Sequence, residues 1–362
     1  MSLTDLLGIE LAIVQAPMAG AQDHELAIAV AAAGGLGSIP CAMLDAAAIL
    51  TQVASFRLRA TGKPINLNFF CHHVAPPDPA RDAAWRAKLA PYYAELGISA
   101  GGPGPARGSF DAATCEVVEE LKPEVVSFHF GLPGPELVAR VRATGAKVMS
   151  SATTVAEARW LADRGCDAII AQGLEAGGHR GMFLVDDIAA QVGTFALVPQ
   201  IVDAVRVPVI AAGGIADARG IVAARVLGAA GVQIGTAYLR CPEARISAMH
   251  RAALAAASDD GTRLTNVITG RPARSLATRF VRELGPMRDD VPAFPTAVAP
   301  LGPLRAAAEA RGSGDFSPLW SGQAAALARE VGAEELTRSL ARAANELLAQ
   351  YGRAPFTFPP GP

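Results

Sequence analysis

The chain has 362 residues, 51% of them hydrophobic and 18% charged, with a formal net charge of −2. That length accommodates one large α/β barrel with extra segments, or two ordinary domains. The near-neutral balance argues against a basic field for nucleic acid or a polybasic membrane patch, and no apolar run reaches the roughly 18 residues of a spanning helix.

In chain order, short apolar runs alternate with longer Ala/Leu/Arg-rich stretches of helical period. Strands are expected at 11–16 (LAIVQA), 36–40 (LGSIP), 64–70 (PINLNFF), 124–130 (EVVSFHF), 146–152 (AKVMSSA), 167–173 (DAIIAQG), 207–213 (VPVIAAG) and 231–239 (GVQIGTAYL). Helices are expected between them, at 24–34, 45–62, 110–122, 135–145, 154–165, 198–206 and 216–231. Gly34, Gly62, Gly145, Gly165 and Gly228 stand where helices would stop before the next strand, as left-handed C-terminal caps. Such alternation argues for a parallel sheet. Eight strands with seven helical connections fit an α/β (β/α)8 TIM barrel. The competing doubly wound sheet lacks its GxGxxG after the first strand, where QAPMAG stands instead.

Two regions break the alternation. Residues 72–109 form a Pro/Gly-rich insertion with a short helix, and residues 241–321 read as a smaller, mainly helical domain over the active-site face. The barrel domain is then 1–240, completed by a C-terminal helix at 322–352, and FTFPPGP at 356–362 reads as an extended end. The five cysteines are scattered without CxxC or Cys/His ligand spacing, so reduced, mostly buried thiols and no metal site are expected. The N-terminus lacks the pattern of a signal peptide. A soluble cytoplasmic protein, monomer or homodimer, is the resulting expectation.

Several strand ends carry chemistry. Gly213 and Gly214 close one strand, while Gly235 and Thr236 close the next. Alone, each pair is a tight turn or a phosphate cradle; together on adjacent strands they favour a mononucleotide phosphate site. Met18 in QAPMAG either packs or lies along an aromatic ligand. Asn66 and Asn68 share one face of their strand, either toward a ligand or within an internal polar layer. Ser127 and His129 share a face of SFHFG, so His129 either points into the barrel mouth or is a satisfied structural histidine. His24 and His250 read as surface or packing residues. The stretch AQGLEAGGHRG at 171–181 places Gln172 at a strand end and His179 among glycines. His179 either moves a proton near neutral pH or donates to an anion; Arg180 beside it suits an anionic group.

QAPMAG, GGLGSI, NLNFF, SFHFG, AQGLEAGGHRG, AAGGIADARG, GVQIGTAYL, GRPARSLATRF and LWSGQAAAL, in this order, resemble the nitronate monooxygenases, formerly 2-nitropropane dioxygenases. The resemblance implies an FMN-bearing TIM barrel that oxidises alkyl nitronates such as propionate 3-nitronate with O2 to a carbonyl compound and nitrite, by single-electron transfer to the flavin. It implies His179 as the catalytic histidine, with His129 and Arg180 near an anionic small-molecule substrate. Flavin-contacting positions would be Ala16, Pro17, Met18, Asn68, Gln172, Gly177, Gly178, Gly213, Gly214, Gly235 and Thr236. Trp320, Ser321 and Gln323 of LWSGQ would be cofactor neighbours or a cover on the pocket. The alternative is an FMN-dependent NAD(P)H reductase of the enoyl-ACP or quinone reductase type. The glutamine in AQG, where that reductase tends to carry AEG, points away from it.

Overall fold

The computed structural model describes residues 2–100 and 108–351; the expected extended end at 356–362 lies outside them. All eight expected strands form: β1 (Ile13–Gln15), β2 (Gly37–Pro40), β3 (Ile65–Phe70), β4 (Val125–His129), β5 (Lys147–Ala152), β6 (Ala168–Gln172), β8 (Val209–Ala212) and β9 (Gly231–Ile234). A further two-residue strand, β7 (Gly178–His179), lies outside this ring. The eight pair in parallel in the order β1-β9-β8-β6-β5-β4-β3-β2, and a parallel bridge from Val14 to Leu36 closes the ring. The chain is a TIM barrel. The reading of 231–239 as strand throughout ran too far: β9 stops at Ile234, and Thr236–Leu239 are helical.

Local chemistry explains the regularity. Asp23, Asp45, Asp111, Thr154 and Asp217 each cap a barrel helix, their side-chain oxygens accepting first-turn N–H groups. The five glycines expected to stop helices all take positive φ, from +73° at Gly62 to +95° at Gly228. Alternation along the strands sorts side chains into two layers. Ile65, Leu67, Phe69, Val126 and Phe128 face the helices, whereas Val14, Leu36, Val125, Met149, Ile170 and Ile210 fill the lower barrel interior. There they meet Leu3, Leu6 and Leu7 of the helix Leu3–Leu7, which plugs the strands' N-terminal end; burying each such leucine contributes about 1.5–3 kcal/mol. The C-terminal helix, Ala333–Tyr351, begins later than 322 and packs on helices His24–Ala32 and Ala218–Val226.

The insertion's helix is longer than expected, Pro79–Leu96. Its Trp85, Leu89 and Tyr92 share a core with Val267, Ile268, Phe280, Leu304 and Phe316. The 241–321 region also contains sheet: β10 (Thr262–Thr265) and β11 (Ala273–Leu276) pair antiparallel, and β7 adds to β11. Short strands bearing Arg263 and Arg274 do not announce themselves by hydropathy. Four of the five cysteines are buried, and all five are free.

Candidate active site

The barrel interior changes character toward the strands' C-terminal ends. Asn68, Ser127, His129, Ser151 and Gln172 follow one another across β3 to β6, above the apolar layer. Asn68, His129, Ser151 and Gln172 of this layer floor a cavity of about 320 Å³, walled by the loops after the strands and by residues of the 241–321 region. Asn66 sits one step lower, fully buried, donating to the Ser38 hydroxyl at 3.0 Å, so it belongs to the internal layer.

Fourteen of the expected residues line this cavity: Ala16, Pro17, Met18, Asn68, His129, Gln172, Gly177, Gly178, His179, Gly213, Gly214, Gly235, Thr236 and Trp320. Three do not. Arg180 is fully buried, and its guanidinium donates to the carbonyls of Gly173 (2.5 Å) and Gln172 (2.8 Å) and to Gln191 Oε1 (2.9 Å). Alternation past His179 turns it away from the cavity, and burial lowers its pKa to about 10, which leaves it cationic. The Ser321 hydroxyl donates to the Gly322 carbonyl, and the side chain of Gln323 is exposed while its backbone N–H reaches the Glu175 carbonyl. These two residues serve by backbone, closing the 320–323 turn over the glycine loop.

That closure explains part of the glycine cluster. A Cβ on Gly177 would meet Gly322 N at 2.5 Å, and one on Gly181 would meet both His129 Cε1 and Ser151 Cβ at 2.9 Å. Backbone packing, as well as access for a ligand, requires these glycines. Gly178 is different: its φ is +73° and open space surrounds it.

His179 is gripped along its backbone. Its carbonyl accepts from Gln172 Nε2 at 3.0 Å and from His129 Nε2 at 3.2 Å, and Gln172 Oε1 accepts from Gly181 N–H at 2.7 Å. A carbonyl only accepts, so His129 carries its hydrogen on Nε2 while Nδ1 accepts from the Ser151 hydroxyl at 3.0 Å. Burial pushes the His129 pKa down to about 4, so this ring is a neutral clamp near pH 7. The His179 ring projects over the cavity, its Nε2 2.9 Å from Thr269 Oγ1, between the rings of Phe294 and Trp320, each 5.3 Å away. His250, read from sequence as surface or packing, is buried at the cavity wall and donates from Nε2 to the Trp320 carbonyl at 3.1 Å.

The resemblance implies FMN, and the residues fit it. Gly213 and Gly214 turn with successive φ of +112° and +70° at the end of β8, a concave backbone suited to phosphate oxygens. Gly235 and Thr236 stand beside them at the end of β9. Gln233, which sequence reading passed over, lines the same cavity, and its Oε1 is buried with no hydrogen-bond partner among the described residues. A ligand with ring N–H groups would satisfy it. Its signal was available, because Gln233 shares the inward alternation of Gly231 and Gly235. Thr269 and Phe294 gave no comparable signal, since only the packing of the 241–321 region brings them to His179.

Comparison with known proteins identifies the family. The family model for nitronate monooxygenase matches residues 1–343. A nitronate monooxygenase of Pseudomonas aeruginosa is 44% identical over 346 residues, covering 93% of this chain and 97% of that protein. One of Paraburkholderia phytofirmans is 42% identical over 357 residues, 96% of each chain. Among solved structures, nitroalkane oxidase from Streptomyces ansochromogenes superposes with a TM-score of 0.88 at 38% identity, covering 97% of this chain and all of that one (100%). With the barrel, the glycine loop and its histidine in place, the chain belongs to the nitronate monooxygenase family of oxidoreductases.

Proposed function

We propose that this chain binds FMN in the cavity and oxidises alkyl nitronates, propionate 3-nitronate among them, with O2 to a carbonyl compound and nitrite. The observation that carries the reading is the His179 ring over the cavity, in a chain of this family. FMN bound there would supply single-electron transfer between the nitronate and O2. The Gly213–Gly214 and Gly235–Thr236 turns would hold its phosphate, and Gln233 would accept from its ring edge.

The protein's own share is electrostatic and positional. Three guanidiniums donate to carbonyls of the loop beneath His179: Arg180 to Gln172 and Gly173, Arg274 to Leu174, and Arg271 to Met182. Among the described residues none of the three forms an ion pair with a carboxylate. Glu175, Glu157 and Asp186 offset part of their charge from a distance. A nitronate arrives already deprotonated, so His179 needs only to donate to the nitro oxygens. When a neutral nitroalkane enters, His179 takes the α-proton. Trp320 and Phe294 shield the ring from water.

The test is direct. Purified protein should carry FMN and consume O2 with propionate 3-nitronate in the absence of NAD(P)H, and His179→Asn should keep the flavin but lose most activity on neutral nitroalkanes. A colourless protein, or no O2 uptake with any nitronate, overturns the proposal. Rapid anaerobic bleaching by NADPH without bleaching by nitronate would favour the reductase alternative.

A further inference from the structure

A 3-10 helix, Thr296–Leu301, runs straight into an α-helix, Gly302–Ala310. One stripe of this segment is core. Ala297, Leu301, Leu304 and Ala308 recur at helical spacing, and all four are buried in the group that contains Trp85. The neighbouring stripe faces the cavity: Val298, Arg305 and Glu309 line it at the same spacing, one residue further on. Two of these three form a charged pair. Arg305 Nε donates to Glu309 Oε1 at 2.7 Å, and the Ser317 hydroxyl donates to the same oxygen at 2.7 Å. Val298 is the exception. It is half-buried, and among the described residues it joins none of the hydrophobic cores, so core packing does not account for an aliphatic side chain at this position.

Val298 belongs to an apolar wall. Phe70, Ile268, Leu319 and Trp320 line the same cavity, and each stands at or beside a neighbour of His179. The ring centroids of Phe70 and Trp320 lie 6.3 Å and 5.3 Å from that of His179. Ile268 precedes Thr269, whose hydroxyl oxygen is 2.9 Å from His179 Nε2, and Leu319 precedes Trp320. Val298 stands one helical turn after Phe294, whose ring is 5.3 Å from that of His179. This wall is distinct from the polar floor that Asn68, Ser151 and Gln172 supply. An alkyl chain laid against it leaves water, and each methylene so buried tightens binding by about fourfold. A hydroxylated chain loses that gain, because its polar group gives up water without a partner.

We propose that this wall is the subsite for the alkyl chain of the nitronate, and that Val298 is a residue that sets chain-length selectivity. This rests on nitronate oxidation in the same cavity, and it names the part of the substrate that the 241–321 region recognises. Longer unbranched nitronates are then better substrates than short ones.

Two measurements test this, one of them without turnover. Straight-chain carboxylates from butyrate to heptanoate serve as unreactive anions bearing the same chains, titrated calorimetrically into the protein as purified. Their dissociation constants should fall by about fourfold per added methylene. Val298→Thr keeps the side chain's shape and adds a hydroxyl, and should cut the total gain from butyrate to heptanoate by about threefold. In kinetics, kcat/KM on hexyl-1-nitronate should exceed kcat/KM on ethylnitronate. The ratio of the two should fall by about tenfold in Val298→Phe, whose ring occupies the space of the chain, and by about threefold in Val298→Thr. Carboxylate affinities that stay flat with chain length in the unaltered protein, or a kinetic ratio unchanged in both variants, overturn the proposal, and the first result needs no variant to fold. Failure of the nitronate reading looks different: neither nitronate would then consume O2, and the carboxylate series alone would decide the subsite.

Discussion

The barrel and the 241–321 region divide the labour at His179. The barrel supplies positions through the backbone: strand ends, glycine turns and the two clamps, His129 and Gln172, on the His179 carbonyl. The 241–321 region supplies contacts to the ring through Thr269, Phe294 and Trp320, beside the more distant Phe70 and Phe130 rings of the barrel. The barrel's order comes from local signals repeated around the ring, five side-chain caps and five helix-stopping glycines among them. The other region has its own core, completed by Trp85 from an insertion far away in sequence. Where the histidine sits and how its ring is oriented are therefore separable properties, held by cores that substitutions can address one at a time.

The largest expected effect breaks one core and spares the other. Trp85 is fully buried among Leu89, Phe280 and their neighbours, so Trp85→Ala should cost about 3–5 kcal/mol. Urea denaturation should then split, with Trp320 emission changing before the far-UV signal of the barrel helices. A single coincident transition would show that the two cores stand or fall together.

A smaller effect separates holding the loop from touching substrate. Arg180→Lys loses the fork that spans Gly173, Gln172 and Gln191, and should lower stability by about 1–3 kcal/mol, seen as a reduced Tm. Nitronate KM should move by less than about twofold, because the side chain faces away from the cavity. A large rise in KM at unchanged Tm would return Arg180 to the substrate.

The gentlest effect appears only with acid, and it samples one histidine from each region. Burial lowers the pKa of His129 and of His250 to about 4, below the unfolded value near 6.5. The unfolded chain binds these protons first as pH falls. The stability they contribute is thus whole above about pH 6.5 and drains toward pH 4, at about 1.4 kcal/mol per pH unit for each ring. His129→Gln and His250→Asn should each flatten that part of the stability profile in urea melts between these pH values. An unchanged slope in one variant would mean that its histidine is solvated in the native state.

The sequence by itself determined the barrel and fourteen residues of the cavity's lining. Hydrophobic alternation, aspartate and threonine caps and helix-stopping glycines act within a few residues, so they are legible in one dimension. The same alternation put Asn68, Ser127 and His129 on the inner face, and the motif AQGLEAGGHRG singled out His179. The tertiary structure decided the partners. Arg180 reads as an anion ligand until the fold buries it against carbonyls, Ser321 and Gln323 read as cofactor neighbours or a cover and sit in the turn packed over Gly177, and Thr269 reads as nothing at all. The bonds that set these roles join residues far apart in the chain, 90 positions between His179 and Thr269 and 148 between Glu175 and Gln323. Local propensity carries no information about such contacts. Only the packing of the second core against the barrel mouth brings the two side chains within 2.9 Å.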